Sequence, residues 1–247
     1  MPILKAPLVL ASASTAVALL ISRHYFHANL IMAASAFIAL ALVNRMNSFL
    51  EANRKAIWED EESPLKANER LAKEITIIFL GIFLTAIFLQ VVATDLFGVH
   101  SHASSLAFRN VFEALFTHNL SVLLIFIFLA ALYRAGGLVI ILAWNALHWS
   151  ETLVAHFENI TLRQGLVRAI GVALAIVPHL LFETIAYIVA GMGGVFLSKA
   201  LTKYSLSSPK FQRVSVAVLM LWGGAVMLLL LATTFEVYLA QPIFHGG

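Results

Sequence analysis

Residues Ile75–Thr94 read ITIIFLGIFLTAIFLQVVAT, without one Asp, Glu, Lys or Arg. At about 1.5 Å of rise per residue, a helix of this length spans the roughly 30 Å hydrocarbon core of a bilayer. The apolar segment, Glu74–Thr94, has counterparts in both directions along the chain. Ile3–Ile21 and the shorter Ala28–Val43 precede it; Ala114–Tyr133, Gly136–Trp149, Gly165–Ala200 and Val214–Leu239 follow. The sixth is too long for one straight span. Pro178 removes a helix hydrogen bond and crowds the preceding turn, so a short element before Pro178 and a full span over His179–Lys199 are expected. The expected fold is all-α: a polytopic transmembrane helical bundle of about seven apolar segments, the sixth broken at Pro178.

Composition agrees. Of 247 residues, 61% are hydrophobic and 12% charged, where a soluble domain carries about 25% charge. Mean hydropathy is +0.90. A water-soluble enzyme is excluded. The net charge of +3 is spread over the ends of the spans, so no basic patch marks a nucleic-acid partner. Without cysteine, disulfides, thiolate metal sites and cysteine nucleophiles are excluded. The small-residue triplet Ala11-Ser12-Ala13 lies inside the first apolar run rather than after it, which favours a retained span over a cleaved signal.

The organisation expected is two N-terminal segments over 1–43, a charged cytoplasmic loop over 44–73 and a transmembrane core over 74–247. The loop carries Arg45, Arg54, Lys55, Lys66, Arg70 and Lys73, with Glu59-Asp60-Glu61-Glu62 before Ser63-Pro64. It reads as a charged helix, a break at Pro64 and a second helix. Its role is a solvated connector or a docking surface for a cytoplasmic partner. The segment joining the last two spans holds Lys199, Lys203, Lys210 and Arg213. Basic loops stay on the cytoplasmic side, which puts the N-terminus inside and the C-terminus outside a cell membrane. Arg163 and Arg168 then fall outside, against the rule.

Ionisable groups within a bilayer cost about 2.5–3.5 kcal/mol or more and usually face the bundle interior. His118, Asn119, Asn145, His148, His179, Glu183 and Glu236 all fall at one membrane depth in the seven-span reading. On the sixth span His179 and Glu183 share a face with Tyr187. That face continues as a ladder of small residues, Ala186, Ala190, Gly194 and Ser198, suited to close helix packing. The expected polar cluster is His118, Asn119, Asn145, His179, Glu183 and Glu236. Its chemistry stays open between a hydrogen-bonded structural lock, a proton or ion relay, a metal site using His179 and Glu183, and lipid-directed base chemistry at Glu183. His100 and His102, with Asp95, form a weaker surface-metal candidate. No phosphate-cradling loop or catalytic triad pattern is visible.

Three stretches carry a family resemblance. FTHNLSVLLIFIFLAALYRAGGLVIILAWNALHWSETL (116–153), VPHLLFETIAYIVAGMGGVFLSKAL (177–201) and LLLATTFEVYLAQPIF (229–244) resemble, in order, motifs of the stage II sporulation protein M family of integral membrane proteins. The likeness is clearest over 112–244. It implies roles for Asn119, Asn145, His179, Glu183 and Glu236. Ala146 and Leu180 depart from the pattern, standing where the family commonly has glycine. The resemblance implies a non-enzymatic scaffold or permease-like subunit without a cofactor, embedded in lipid and assembled with itself or other membrane proteins. The alternatives are an ion- or proton-coupled transporter subunit and an intramembrane metal enzyme.

Overall fold

The computed structural model describes residues 5–25, 30–58, 64–92 and 111–240. It is all-α, with no strand among these residues. Seven helices, each long and apolar enough to cross a membrane, are described: α1 (Lys5–Tyr25), α2 (Leu30–Trp58), α3 (Pro64–Val92), α4 (Val111–Tyr133), α5 (Ala135–Gln164), α6 (Leu166–Lys203) and α7 (Pro209–Phe235). A π-helical turn, Glu236–Ala240, continues α7. This is an integral, multi-pass membrane protein. The acidic run 59–62 and the Asp95, His100 and His102 candidate lie outside the described residues.

Two elements run longer than expected. Pro178 does not break the sixth segment: α6 is one helix of 38 residues with the proline inside it. The missing N–H costs one backbone bond, a loss that packed membrane helices tolerate. The polar stretch after Trp149 also stays helical, carrying α5 on to Gln164.

The chain forms two compact units. The first contains α1, α2, α3 and Val139–Glu151 of α5. Here α1 packs on both α2 and α3. Gly81 admits the close approach, since a Cβ there would lie 2.9 Å from that of Ala11. The apolar seam of α2 and α3, with Ile38, Leu42, Ile78 and Ile82 fully buried, continues through Met46, Leu50 and Ala56 and through Ala67, Leu71 and Ile75. The charged segment is thus a helical hairpin with its own buried seam. Within it Asn53 Nδ2 donates to Asn68 Oδ1 at 3.0 Å, a polar pair that fixes register. Elsewhere in this unit the buried Gln90 donates to Ser150 Oγ at 3.1 Å.

The second unit contains α4, the two ends of α5, α6, α7 and the π turn. Its axis is α6, which packs on α4 and α7. Phe126 meets Tyr187 edge to face at 5.0 Å. Further along, Gly194 lies against the Ile127 carbonyl and Ala130, and Arg134 Nε donates to Ser198 Oγ at 3.3 Å. These pairs advance together, so α4 and α6 run parallel. α7 runs back along α6, with Trp222 Nε1 donating to the Ala190 carbonyl at 3.2 Å. Ser208 caps α7 by accepting from the Phe211 amide, with Pro209 at its first position. The ladder Ala186, Ala190, Gly194 and Ser198 is buried. Contacts within this chain occupy it at Gly194 and Ser198, so it is not a free surface for assembly.

Candidate functional site: an imidazole between two carboxylates

The site lies where the middle of α6 meets the end of α7. His179 and Glu183 are one turn apart, so both project from the same side of α6. The π turn after Phe235 begins at Glu236, and π-helical turns recur at functional positions. Phe182 stacks on Phe235 at 5.4 Å, fixing this end of α7 against α6.

Both ring nitrogens of His179 face oxygen. Nδ1 lies 3.1 Å from the Ala232 carbonyl. Nε2 lies 3.0 Å from Glu183 Oε2 and 3.5 Å from Glu236 Oε2. A carbonyl only accepts, so Nδ1 carries a hydrogen. Nε2, facing two carboxylates, is complemented by a second hydrogen on the ring or by one on a carboxyl group. The cluster therefore holds a proton beyond the one Nδ1 donates. Glu183 Oε2 is close to Nε2 without a well-aligned hydrogen bond, so where the ring carries the second hydrogen their attraction is mainly between charges. The His179 and Glu183 side chains are 5% and 6% exposed, and Glu236 is 27% exposed. One cation balances only one of the two acids. In a medium of low polarity the remaining charge is costly.

Tyr187 extends the cluster inward. It is fully buried and lies one turn beyond Glu183 on the same face of α6. The sequence placed it on this face without assigning it a role. The Ala232 carbonyl has no sequence signal, because any residue supplies one.

The remaining candidates divide. His118 is exposed yet near enough to act on the Glu236 charge. Asn119, in the same unit, is buried. The parallel register of α4 and α6, with Phe126 opposite Tyr187, sets it about level with Leu180. Asn145 belongs to the first unit, where it is buried and its side-chain oxygen has no hydrogen-bond partner. In the same unit His148 stacks on Trp144 at 5.1 Å. Among the described residues no group of three His, Cys, Asp or Glu has an arrangement that holds a metal ion. The cluster's short contacts join imidazole to carboxylate, as charge pairing requires.

No protein-family model, curated protein or solved structure matches this chain.

Proposed function

We propose that this protein is a non-enzymatic subunit of a membrane complex, a scaffold or permease-like component of the stage II sporulation protein M type. In this reading the His179–Glu183–Glu236 set is a protonation-dependent clasp joining α6 to the end of α7. The observation that carries it is the single buried imidazole shared by two acids from separate helical segments. His179 and Glu183 come from one of the family-like stretches and Glu236 from another. The clasp needs no substrate. It couples the position of the α7 terminus to the number of protons the set holds. Charge placement supports an N-terminus on the cytoplasmic side of a cell membrane and a C-terminus outside. The hairpin over 44–73 then offers its charged outer surface to a cytoplasmic partner.

A second reading rests on the same imidazole. A buried His between two acids is also the composition of an intramembrane proton path. Reconstitution into vesicles with an internal pH dye separates the two. The clasp reading expects Glu183→Gln and His179→Gln to lower the unfolding midpoint, while wild-type vesicles acidify no faster than protein-free ones. Proton flux through wild-type protein, abolished by Glu183→Gln in a variant that still elutes as folded protein, overturns the clasp in favour of the relay.

A further inference from the structure

α6 is about 57 Å long at 1.5 Å per residue, well beyond the roughly 30 Å hydrocarbon core. Counting about 30 Å back from Lys199, whose charge belongs at a headgroup region, reaches His179. About 20 Å of helix, Leu166–Pro178, remains beyond it. This remainder pairs with the end of α5 through a small core of Ile160, Ala169, Val172 and Ile176, backed by Phe157. Gly165 makes the corner at φ +88°.

The outer surface of this hairpin is divided by chemistry. From α5 it exposes His156, Glu158, Asn159, Arg163 and Gln164, with Leu162, 88% exposed, the one large apolar side chain among them, close to the corner. From α6 it exposes Leu166, Val167, Ile170, Leu174, Val177 and Leu181, with Val167 at 87% and Leu174 at 66%. At 100° per residue these six fall within about 100° of one another, on the side of α6 opposite His179 and Glu183. The stripe runs unbroken from the corner into the span, where Leu181 and then Ile185 continue it. The face that meets acyl chains inside the bilayer therefore does not end where the bilayer core should end.

We infer that the α5–α6 hairpin is an interfacial membrane element: its α6 stripe is seated in the boundary between headgroups and acyl chains, and its α5 side faces water. Continuity with the lipid-facing side of the same helix selects lipid as the occupant. A second argument comes from charge. Arg163 and Arg168 flank the corner, and a basic rim beside an apolar face is the pattern of helices lying in the interface plane of phospholipid. It also accounts for an exposed arginine, Arg163, on the side of the membrane where basic residues are otherwise scarce, since a guanidinium there is placed to meet lipid phosphate.

The absence of native cysteine makes the test direct. Val167→Cys, Leu174→Cys and, on the α5 side, Asn159→Cys each accept one environment-sensitive fluorophore. All three sites are exposed, so the label displaces no core. The labelled proteins go into vesicles of phosphatidylcholine and phosphatidylglycerol, with and without brominated acyl chains. The expected result is several-fold stronger quenching at 167 and 174 by brominated lipid than by aqueous iodide, with the reverse order at 159. Iodide-accessible labels at 167 and 174 overturn the inference. So do labels shielded from both quenchers, which would mean that a second copy or another protein covers the stripe. Neither result bears on the clasp, whose residues lie on the opposite face.

Discussion

Removing His179 leaves two acids facing one another with no cation between them. Breaking a buried ion pair by deleting one partner costs about 3–5 kcal/mol, and the low exposure of both His179 and Glu183 places this pair in that class. His179→Ala also strands the Ala232 carbonyl, which accepts from Nδ1. An unfolding loss of about 4 kcal/mol follows. The two acids differ. Glu183 lies 3.0 Å from Nε2 and is buried; Glu236 lies at 3.5 Å and keeps 27% of its side-chain surface. Glu183→Gln retains shape and one acceptor, and the lost charge interaction costs about 1.5–3 kcal/mol. Glu236→Gln is discounted for solvent screening to about 1 kcal/mol or less. A double-mutant cycle between His179→Ala and each Gln variant then gives a larger coupling for Glu183 than for Glu236. Equilibrium unfolding in detergent micelles, followed by tryptophan emission, measures all of these. A His179→Ala loss below about 1 kcal/mol, or a Glu236→Gln cost equal to that of Glu183→Gln, would refute the assignment of the clasp.

Gly137→Ala is expected to be severe, because its Cβ would overlap the Leu129 carbonyl oxygen and lie 2.6 Å from that carbonyl carbon and 2.9 Å from Ala130 Cα. Backbone cannot swing aside, so a loss at or above the overpacking range of about 1–3 kcal/mol is expected in thermal unfolding. Gly171→Ala is its control: nothing lies within 4 Å of the added Cβ, and helix propensity should raise stability by about 1 kcal/mol. Asn53→Ala leaves the Asn68 side-chain oxygen without its 3.0 Å donor and should cost about 1–3 kcal/mol, visible as faster amide exchange in the α2–α3 hairpin; Asn68→Ala should behave alike. Trp222→Phe deletes the donor to the Ala190 carbonyl and should cost about 1 kcal/mol, read as a lowered unfolding midpoint.

Much of this architecture is legible because bilayer insertion is governed by continuous apolar length, which survives in the order of residues alone. The third segment, Glu74–Thr94, overlaps the apolar part of α3 in this way, and the break at Pro64 coincides with the start of that helix. Where tertiary surroundings decide, the reading fails. Pro178 looks like a break because the rule against internal proline weighs only the local backbone, whereas a packed bundle absorbs one lost bond. The apolar segment ends at Trp149 in the sequence because His156 and Glu158 beyond it are polar; they stay helical on the outside of a hairpin whose inside is Ile160 and Phe157. The candidate site divides similarly. Helical spacing puts His179 beside Glu183. Glu236 joins them through a chain reversal that depth arguments anticipate. Depth does not identify lateral neighbours, however, and Asn145 belongs to the other compact unit. Helical spacing also puts Tyr187 on this face, while its burial against Phe126 depends on α4, a partner that spacing along α6 does not identify.

The exposures within the clasp form a gradient that bears on both readings of it. Glu236 retains about a quarter of its side-chain surface, while His179 and Glu183 retain almost none, and Tyr187 behind them retains none. From the surroundings inward Glu236 comes first, His179 and Glu183 are equally buried, and Tyr187 is the most enclosed. His118, on α4 of the same unit, is exposed. If the clasp exchanges protons through this series, those destined for Glu183 pass the imidazole, because His179 Nε2 is the atom that approaches both acids. His179 also holds the α7 backbone through Nδ1. Any change in its protonation is therefore felt at Ala232, one turn before the π segment that carries Glu236. A clasp and a relay are thus built from the same atoms, and what separates them is whether Glu183 has a second exit past Tyr187. In the observed arrangement Phe126 packs edge to face on the Tyr187 ring and the small-residue ladder below it is buried. Helix packing occupies that direction, which favours a set of acids that binds protons from one side over one that passes them across the membrane.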